Sequence, residues 1–514
     1  MDTIYNAPNE LDELLISLEK REKKAFKLYI KQFGDPASLK FVQLYHILLK
    51  HPSCPSSEIT KINPALKKAQ IPNLRAELLK HLLESLRYAS QVGLPEAEIR
   101  RTMDYAGLLF ERGMIHHAVR KVKKARKLAE KHDLLELLFE IAQREKLVEL
   151  YFSLDLKIDE ATELRTIMDG AAKEARVGGS YAGLALELRA LYLKNGFARS
   201  KEEFDEVNVF FQDRLPKKGE VKSHFQRLHY HRSHFWLNYI LQDFKKCYRH
   251  TATAIRIMST REIKHQQISL LKFHDAHLNS LFRMNQPERF TAHMHAFEAL
   301  QHQLTGKQAK WLWQRYHTGH QFNERFLYGR FKGAEAMVHS AKEQIAPLES
   351  YTNTLSLKYK MACLLFGEGA FNTALKQLNE ILHLEDVSRR KDIHRFARIL
   401  KLATLLELED WETLFDLVPS TYQYLVRVRD YNEFQRVLLQ FLGSMARRNK
   451  LPDHNDWVHL KEQMETVIRN PFQRRPFFYF DIISWLESKI THRSVAEIIQ
   501  QRGLGHAEAL KGLS

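Results

Sequence analysis

Apolar and small residues follow a pattern along this chain that repeats about every 40 residues. Eight register points, spaced 40 to 44 residues apart, mark equivalent places in the pattern. They are Gly113, Leu156, Arg199, Gln242, Asn285, Gly329, Gly369 and Glu409. Five residues after each point stands a residue suited to a packed helix, namely Ala118, Ala161, Phe204, Cys247, Phe290, Ala334, Ala374 and Leu414. A fixed period of this length predicts stacked units, each a pair of antiparallel helices.

The two helices of a unit can be traced most clearly around Gly113. Apolar residues between Tyr105 and Phe110 lead into the turn. The second helix then carries a stripe at helical spacing, consisting of Ala118, Val122, Ala125 and Ala129. The same pattern recurs as Gly329, Ala334, Val338 and Ala341. In this pattern of a turn glycine followed by small and apolar positions, the region resembles the tetratricopeptide superfamily.

The resemblance covers roughly 350 residues. It implies an all-α, right-handed α-solenoid of about eight helical hairpins, whose curved surface binds peptides or proteins. A tetratricopeptide unit is usually about 34 residues long, and its Trp, Gly and Pro markers are mostly missing here. Because a period of 40 to 44 residues also overlaps that of HEAT-like arrays, a generic α-solenoid is the alternative interpretation.

The chain outside this register predicts two flanking regions. The repeats are expected over residues 96–448, with a helical N-terminal domain over 1–95 and a C-terminal helical cap over 449–514. A cap is expected because the last repeat would otherwise expose an apolar face. Within the cap, the pattern predicts helices over 457–468 and 477–489.

The N-terminal domain is predicted to consist of short helices. Apolar spacing indicates two short amphipathic helices that end at Gly34, and a third from Leu39 to Lys50. Ser57 is expected to cap a further short helix. A strongly amphipathic helix is then predicted from Leu74 to Tyr88.

Charge and cysteine content narrow the class of partner and the compartment. Lys and Arg total 79 against 62 acidic residues, a net charge of +17, which favours acidic partners. The three cysteines are far apart, so the sequence predicts a reducing compartment rather than a disulfide framework. The first ten residues lack a signal-peptide pattern and no apolar run reaches about 18 residues. We therefore expect a cytoplasmic protein without membrane insertion.

Histidine shows the sharpest local anomaly. Of 26 histidines, 13 fall between His224 and His320. Three HxxH pairs lie 43 residues apart, namely His231 with His234, His274 with His277, and His317 with His320. One interpretation is a metal or anion site built across repeats, because imidazole is a common metal ligand. Since no carboxylate or cysteine recurs in register beside the pairs, packing between helices is the preferred interpretation.

A basic run is the second anomaly. Six of the eight residues from 120 to 127 are basic, namely Arg120, Lys121, Lys123, Lys124, Arg126 and Lys127. Because Val122 and Ala125 belong to the packing stripe, the charges are expected on the exposed side of one helix. Such a helix can bind phosphates, although a solvated face is the commoner explanation. Gly-rich phosphate loops and base-reading motifs are missing.

These features favour binding over catalysis. No zinc-protease, serine-hydrolase, P-loop or kinase signature occurs. We expect a non-enzymatic scaffold without a cofactor, which binds an acidic protein or peptide through the repeats, with the basic run and the histidine pairs as candidate contacts. The alternative is a nucleic-acid-binding regulator that joins a helix-turn-helix-like N-terminal domain to ligand-sensing repeats, as some bacterial peptide-sensing regulators do. Four prolines interrupt that domain, namely Pro52, Pro55, Pro64 and Pro72.

Overall fold

The computed structural model of the protein describes residues 10–90, 95–132, 134–152, 157–216, 221, 223–260, 266–345, 354–383, 391–428 and 431–502. Within these ranges all regular secondary structure is helical and no residue lies in a strand. The predicted all-α fold class is therefore confirmed for the described residues. The chain divides into two compact units, 1–171 and 172–514.

The described residues of the first unit form eight α-helices and the beginning of a ninth, which crosses the unit boundary. They are α1 (Glu10–Ser17), α2 (Lys20–Tyr29), α3 (Lys40–Lys50), α4 (Ser56–Ile62), α5 (Ile71–Ser90), α6 (Pro95–Glu111), α7 (Ile115–Lys131), α8 (Leu135–Phe152) and α9 (Ile158–Asn195).

The second unit continues with helices that are each shorter than α9. They are α10 (Lys201–Asp213), α11 (His224–Ile240), α12 (Phe244–Met258), α13 (Gln267–Arg283), α14 (Pro287–Ala299), α15 (Lys307–Tyr328), α16 (Ala334–Ile345), α17 (Leu355–Glu368), α18 (Phe371–Leu382), α19 (Lys391–Glu407), α20 (Trp411–Arg427), α21 (Glu433–Arg448), α22 (His454–Arg469) and α23 (Ile482–Thr491). Residues 495–502 are helical as well.

The N-terminal helices pack around a core of their own. Leu11, Phe26, Tyr45 and Leu78 are buried in it. The predicted helices correspond to α1, α2, α3 and α5, so these predictions are confirmed. The predicted cap at Ser57 is wrong, because α4 already begins at Ser56 and places Ser57 inside its first turn. The described residues of this region contain no strand and therefore no β-wing.

Six of the eight register points form the same turn between two helices. Gly113, Gln242, Asn285, Gly329, Gly369 and Glu409 all have left-handed backbone, with φ between 51° and 87°. In each case the register residue donates its N–H to the carbonyl three residues earlier, and the next residue donates to the carbonyl five residues before it. This pair of bonds is the Schellman motif, which ends a helix by satisfying its last carbonyls. The predicted reversals near Gly113, Gly329 and Gly369 are confirmed.

The same six units also place the residue five positions after the turn in the core. Ala118, Cys247, Phe290, Ala334, Ala374 and Leu414 are each at most 1% exposed. In four of the six units the side chain at this position is small, which lets the second helix approach the first closely, whereas Phe290 and Leu414 fill the position with large side chains. The sequence repeat therefore arises from one shared turn geometry and one shared buried position.

The register fails at its second and third points. Leu156 lies outside the described residues, and Ala161, predicted to pack, is exposed. The helix that contains Ala161, α9, runs for 38 residues and does not reverse until Gly196, whose φ is 78°. Gly196 lies three residues before Arg199, so the predicted turn at Arg199 is displaced.

First helices of neighbouring hairpins form a continuous row. At its start, the ring of Tyr181 on α9 packs 5.5 Å from that of Tyr230 on α11, and Arg232 on α11 contacts Ser269 on α13. The row continues because α13 contacts α15, α15 contacts α17, α17 contacts α19, and α19 contacts α21.

The chain between α22 and α23, residues 470–481, returns to this row and is called the return segment below. The Phe478 carbonyl accepts from Arg283 at the end of α13, and Tyr479 stacks on Phe396 of α19 at 4.2 Å. The return segment thus covers part of the row.

The return segment also corrects the helix predicted over 477–489. Residues Arg475–Phe478 form a 3-10 turn, and α23 begins only at Ile482. Asp481 sets that start, because its side chain accepts the N–H of Ser484 at 3.1 Å. The predicted helix does not begin at residue 477 because the adjacent aromatic side chains there pack in different directions.

Candidate functional site

Helix α7 carries the predicted basic run. Its predicted packing stripe is confirmed, because Ala118, Val122, Ala125 and Ala129 are all buried. The charged side chains occupy the remaining faces of the helix, and Lys124 and Lys127 are exposed. The spacing of the apolar positions was therefore sufficient to place the charges.

Half of the basic run is paired with acidic side chains of neighbouring helices. The pairs are Lys123–Glu149 at 3.2 Å, Lys124–Glu98 at 3.5 Å, Arg126–Glu145 at 3.3 Å and Arg126–Glu163 at 3.1 Å. Arg120 contacts His117, with 2.7 Å between Nη2 and Nδ1. Arg120, Lys121 and Lys127 make no ion pair with a described residue. The run is thus a partly neutralised surface and not a continuous stripe of unpaired charge.

The three HxxH pairs lie on α11, α13 and α15, the first helices of three successive hairpins. Their predicted placement on equivalent helices is confirmed. Each pair points between helices, so its contacts are with neighbouring units as well as within its own. The three pairs differ in their partners.

The first pair is built around a third histidine. His231 Nδ1 lies 3.0 Å from Nδ1 of His250 on α12, and the ring of His250 stacks on that of His234 at 5.1 Å. The His234 Nδ1 contacts the carbonyl of Tyr230 at 2.9 Å. These contacts join the two helices of one hairpin.

The second pair has the same arrangement with deeper burial. His274 Nδ1 lies 3.0 Å from Nε2 of His293 on α14. His277 Nδ1 lies 2.9 Å from the Thr251 hydroxyl on α12, and its ring is 4.2 Å from that of His293. The pair therefore links α13 to both the preceding and the following second helix.

The third pair has carboxylate partners instead. His317 Nε2 lies 3.0 Å from Glu298, and its ring stacks on Trp313 at 4.6 Å. His320 Nε2 donates to Asp275 at 2.9 Å, which leaves its Nδ1 to accept from the Asn323 amide at 3.2 Å. In the sequence Asp275 stands between the two histidines of the second pair, and nothing there indicates that it contacts His320 of the third pair.

Burial keeps the histidines of the first two pairs neutral near pH 7. It is the main cause that lowers the pKa of His231 and His250 to about 4, and neighbouring cationic and imidazole groups add to the effect. Burial also lowers the pKa of His274 and His277 to about 3, and that of His293 to about 4. These imidazoles act as uncharged hydrogen-bonding groups between helices.

Arginine and lysine side chains gather on the row of first helices, a feature that the reading of the sequence missed. Arg189 on α9, Arg232 on α11 and Lys272 on α13 make no ion pair with any described residue. Arg232 donates to the Ser269 hydroxyl at 3.1 Å, one turn before Lys272, and its guanidinium lies 5.2 Å from the Phe273 ring centroid. We call Arg189, Arg232 and Lys272 the row cations.

Two of the row cations lie close enough to the third to affect its pKa. Partial burial of the Lys272 ammonium is the main cause that lowers its pKa, and the charges of Arg189 and Arg232 lower it further. Burial likewise lowers the pKa of Arg232. Like charges brought together without a counter-charge cost free energy, an arrangement typical of sites that receive an anion. A signal was present in the sequence, because Arg189 and Arg232 are 43 residues apart, as are Lys272 and Arg315.

A second basic surface lies on the N-terminal unit. Lys20, Lys24, Lys27 and Lys31 follow one another at spacings of three and four, which places them on one face of α2 and the turn after it. All four are exposed, and none makes an ion pair with a described residue. The apolar pattern of the sequence predicts α2 as an amphipathic helix but does not indicate this lysine face.

Comparisons with protein-family models, curated proteins and solved structures give no match. Among the described residues, no three or more His, Cys, Asp or Glu side chains are arranged to hold a metal ion. None of the helices in the described ranges is long and apolar enough to cross a membrane.

Proposed function

We propose that the protein is a non-enzymatic, cytoplasmic interaction scaffold whose tetratricopeptide-like repeats bind an acidic segment of a protein partner along the row of first helices. The observation that supports this most directly is the group of row cations. Three successive first helices each contribute one cation, and the three lack counter-charges among the described residues. A carboxylate-rich segment would supply the missing charge.

The helical hairpins suit this role because they hold the cations on rigid elements. Arg232 is held by Ser269 and by the ring of Phe273, so little side-chain freedom is lost on binding. A guanidinium with free donors forms paired hydrogen bonds with a carboxylate. The return segment adds indirect support, since it is a stretch of the same chain that contacts α13 and α19 of this row.

A charge-matched pair of variants tests the proposal. The Arg189→Gln/Lys272→Gln double variant removes two row cations, and the Lys121→Gln/Lys127→Gln control removes two unpaired cations from α7. Binding of a short fluorescein-labelled peptide rich in Asp and Glu is measured by anisotropy with the full chain. We expect the row variant to weaken binding about tenfold and the control variant to change it little. Both variants lose the same net charge, so a difference between them reflects the position of the cations. Equal losses in the two variants would contradict a defined site on the row.

The second candidate function is nucleic-acid binding by the N-terminal unit. The exposed lysine face of α2 favours it, whereas the ion pairs of α7 and the missing β-wing do not. A labelled DNA duplex distinguishes the two proposals when it is titrated against the same proteins and a Lys20→Gln/Lys24→Gln/Lys27→Gln variant. The scaffold proposal expects weak duplex binding that salt abolishes. Tight duplex binding that survives physiological salt and depends on α2 would favour the regulator.

A further inference from the structure

A cavity lies under the return segment in the second unit. Its volume is about 370 Å³, within the range of small-molecule pockets. The C-terminal ends of α13 and α15 and most of the length of α17 form one side, and residues 477–481 form the other. Phe282, Phe326, Phe331 and Phe478 contribute aromatic walls. The cavity therefore suits a compact apolar body.

The charged residues around this cavity are mostly cationic. Arg283, Lys360 and Arg502 line it, against a single carboxylate, Asp481. Arg502 is paired with Glu487 at 2.6 Å, and the Lys360 ammonium donates to the Gly319 carbonyl at 3.1 Å. Asp481 is used as the cap of α23. Arg283 is therefore the residue to consider as an anchor for a ligand.

Arg283 is held in place by the cavity walls. Its Nη1 donates to the Phe478 carbonyl at 2.5 Å, and its guanidinium lies 5.5 Å from the Phe282 centroid and 5.1 Å from that of Phe478. It makes no ion pair with any described residue. Guanidinium has five N–H donors, so most of them remain for a ligand. A fixed cation beside an apolar cavity is the complement of an apolar molecule with one acidic group.

We infer that this cavity is a binding site for a small apolar carboxylic acid, with the aromatic walls around its body and the Arg283 guanidinium on its carboxylate. Planar guanidinium and carboxylate groups match in geometry, and a charge-assisted pair is stronger than a neutral hydrogen bond. The site is separate from the row cations, and this inference does not depend on the proposed scaffold function.

Isothermal titration calorimetry with the full chain tests the inference, using phenylbutanoate, phenylbutanol and phenylbutylammonium as probes. The three share an aryl-alkyl body and differ in charge. We expect phenylbutanoate to bind about tenfold or more tightly than phenylbutanol, and phenylbutylammonium to bind most weakly, because only the anion pairs with Arg283. Equal binding of anion and alcohol, or binding of neither, would overturn the inference.

Two variants locate the effect. Arg283→Gln keeps an amide donor for the Phe478 carbonyl but removes the charge, so it should abolish the preference for the anion and retain binding of the alcohol. Arg289→Gln removes an exposed cation on α14 that does not line the cavity, and should leave all three affinities unchanged. A preference for the anion that survives Arg283→Gln in a folded protein would assign the anion to another residue. The comparison of probes on the unaltered protein remains decisive if that variant does not fold.

Discussion

Acid should loosen α13 through its two buried histidines. His274 and His277 are each 5% exposed, and their partners are His293 and the Thr251 hydroxyl. In the folded protein their pKa values are about 3, whereas in an unfolded chain a histidine titrates near about 6.5. Between these values the unfolded segment binds more protons than the folded one. Acidification therefore favours opening, and the stability present above about pH 6.5 is lost as the pH falls from there toward 3.

The size of the effect at pH 5.5 follows from the unfolded pKa alone, since pH 5.5 is far above both folded values. One histidine with an unfolded pKa of about 6.5 contributes a loss of about 1.4 kcal/mol at that pH, so the two together contribute about 3 kcal/mol. This free energy corresponds to about a 100-fold change in the opening equilibrium. The loss of about 3 kcal/mol is a large part of the free energy of local opening in a repeat array, because each unit of such an array contacts only its neighbours.

Hydrogen exchange measured by mass spectrometry gives access to this local opening. Protection of the α13 amides, corrected for the pH dependence of intrinsic exchange, should fall about 100-fold between pH 7.5 and 5.5. In a His274→Gln/His277→Gln variant the protection should change much less with pH, because only the buried partner His293 then remains to be protonated on opening. The matched control is His302→Gln, which replaces an exposed histidine and should retain the full pH effect. Equal pH effects in the unaltered protein and the double variant would refute the assignment to these two imidazoles.

Three stability predictions follow from the turns, the packing and the ion pairs, each measured by thermal or urea unfolding. Glu409 has a φ of 55°, so Glu409→Gly should stabilise by about 0.5 to 1 kcal/mol, and a loss would contradict the strain assigned to that turn. Ala334→Leu should cost about 1 to 3 kcal/mol by overpacking, whereas Ala161→Leu on an exposed face should cost less than about 0.5 kcal/mol. Arg126→Ala should cost about 1 to 3 kcal/mol because it removes the nearest guanidinium from the buried Glu145 carboxylate, and it should cost less in a Glu145→Gln background.

The turns could be predicted from the sequence because their geometry restricts the residue. A left-handed position at the end of a helix favours Gly or Asn, and Gly113, Asn285, Gly329 and Gly369 satisfy that preference. Glu409 satisfies only the spacing, yet it adopts the same geometry because the flanking helices fix it. The repeated spacing therefore carried more information than the residue type.

The long helix α9 could not be predicted in the same way. It contains Gly170, Gly178, Gly179 and Gly183, each of which lowers helix stability by about 1 kcal/mol relative to alanine. Local propensity therefore favours a break where none occurs. Its second half is held by tertiary packing, with Leu184 and Leu188 among its buried side chains. Packing of this kind overrides propensity and leaves no local mark in the sequence.

The charge pattern was predicted only at the level of one helix. The spacing around Val122 placed the basic run on the exposed faces of α7, but Lys123 and Lys124 have carboxylate partners on other helices. Single-helix periodicity contains no information about such partners. The row cations show the converse, since Arg189 and Arg232 become one feature only when two units are stacked. A count of basic residues along the chain therefore ranks α7 above the row, although half of the basic run has acidic partners and none of the row cations has one among the described residues.

The histidine pairs show how a repeated feature acquires different chemistry in each unit. Burial lowers the pKa of His274 with no carboxylate among the opposing causes, so protonation there meets no compensating charge. For His320 the hydrogen bond and charge of Asp275 oppose the effect of burial. The same HxxH spacing therefore gives an acid-sensitive contact on α13 and a better compensated one on α15. Acid-induced opening should consequently begin at α13, and a hydrogen-exchange profile in which α15 loses protection first would contradict this order.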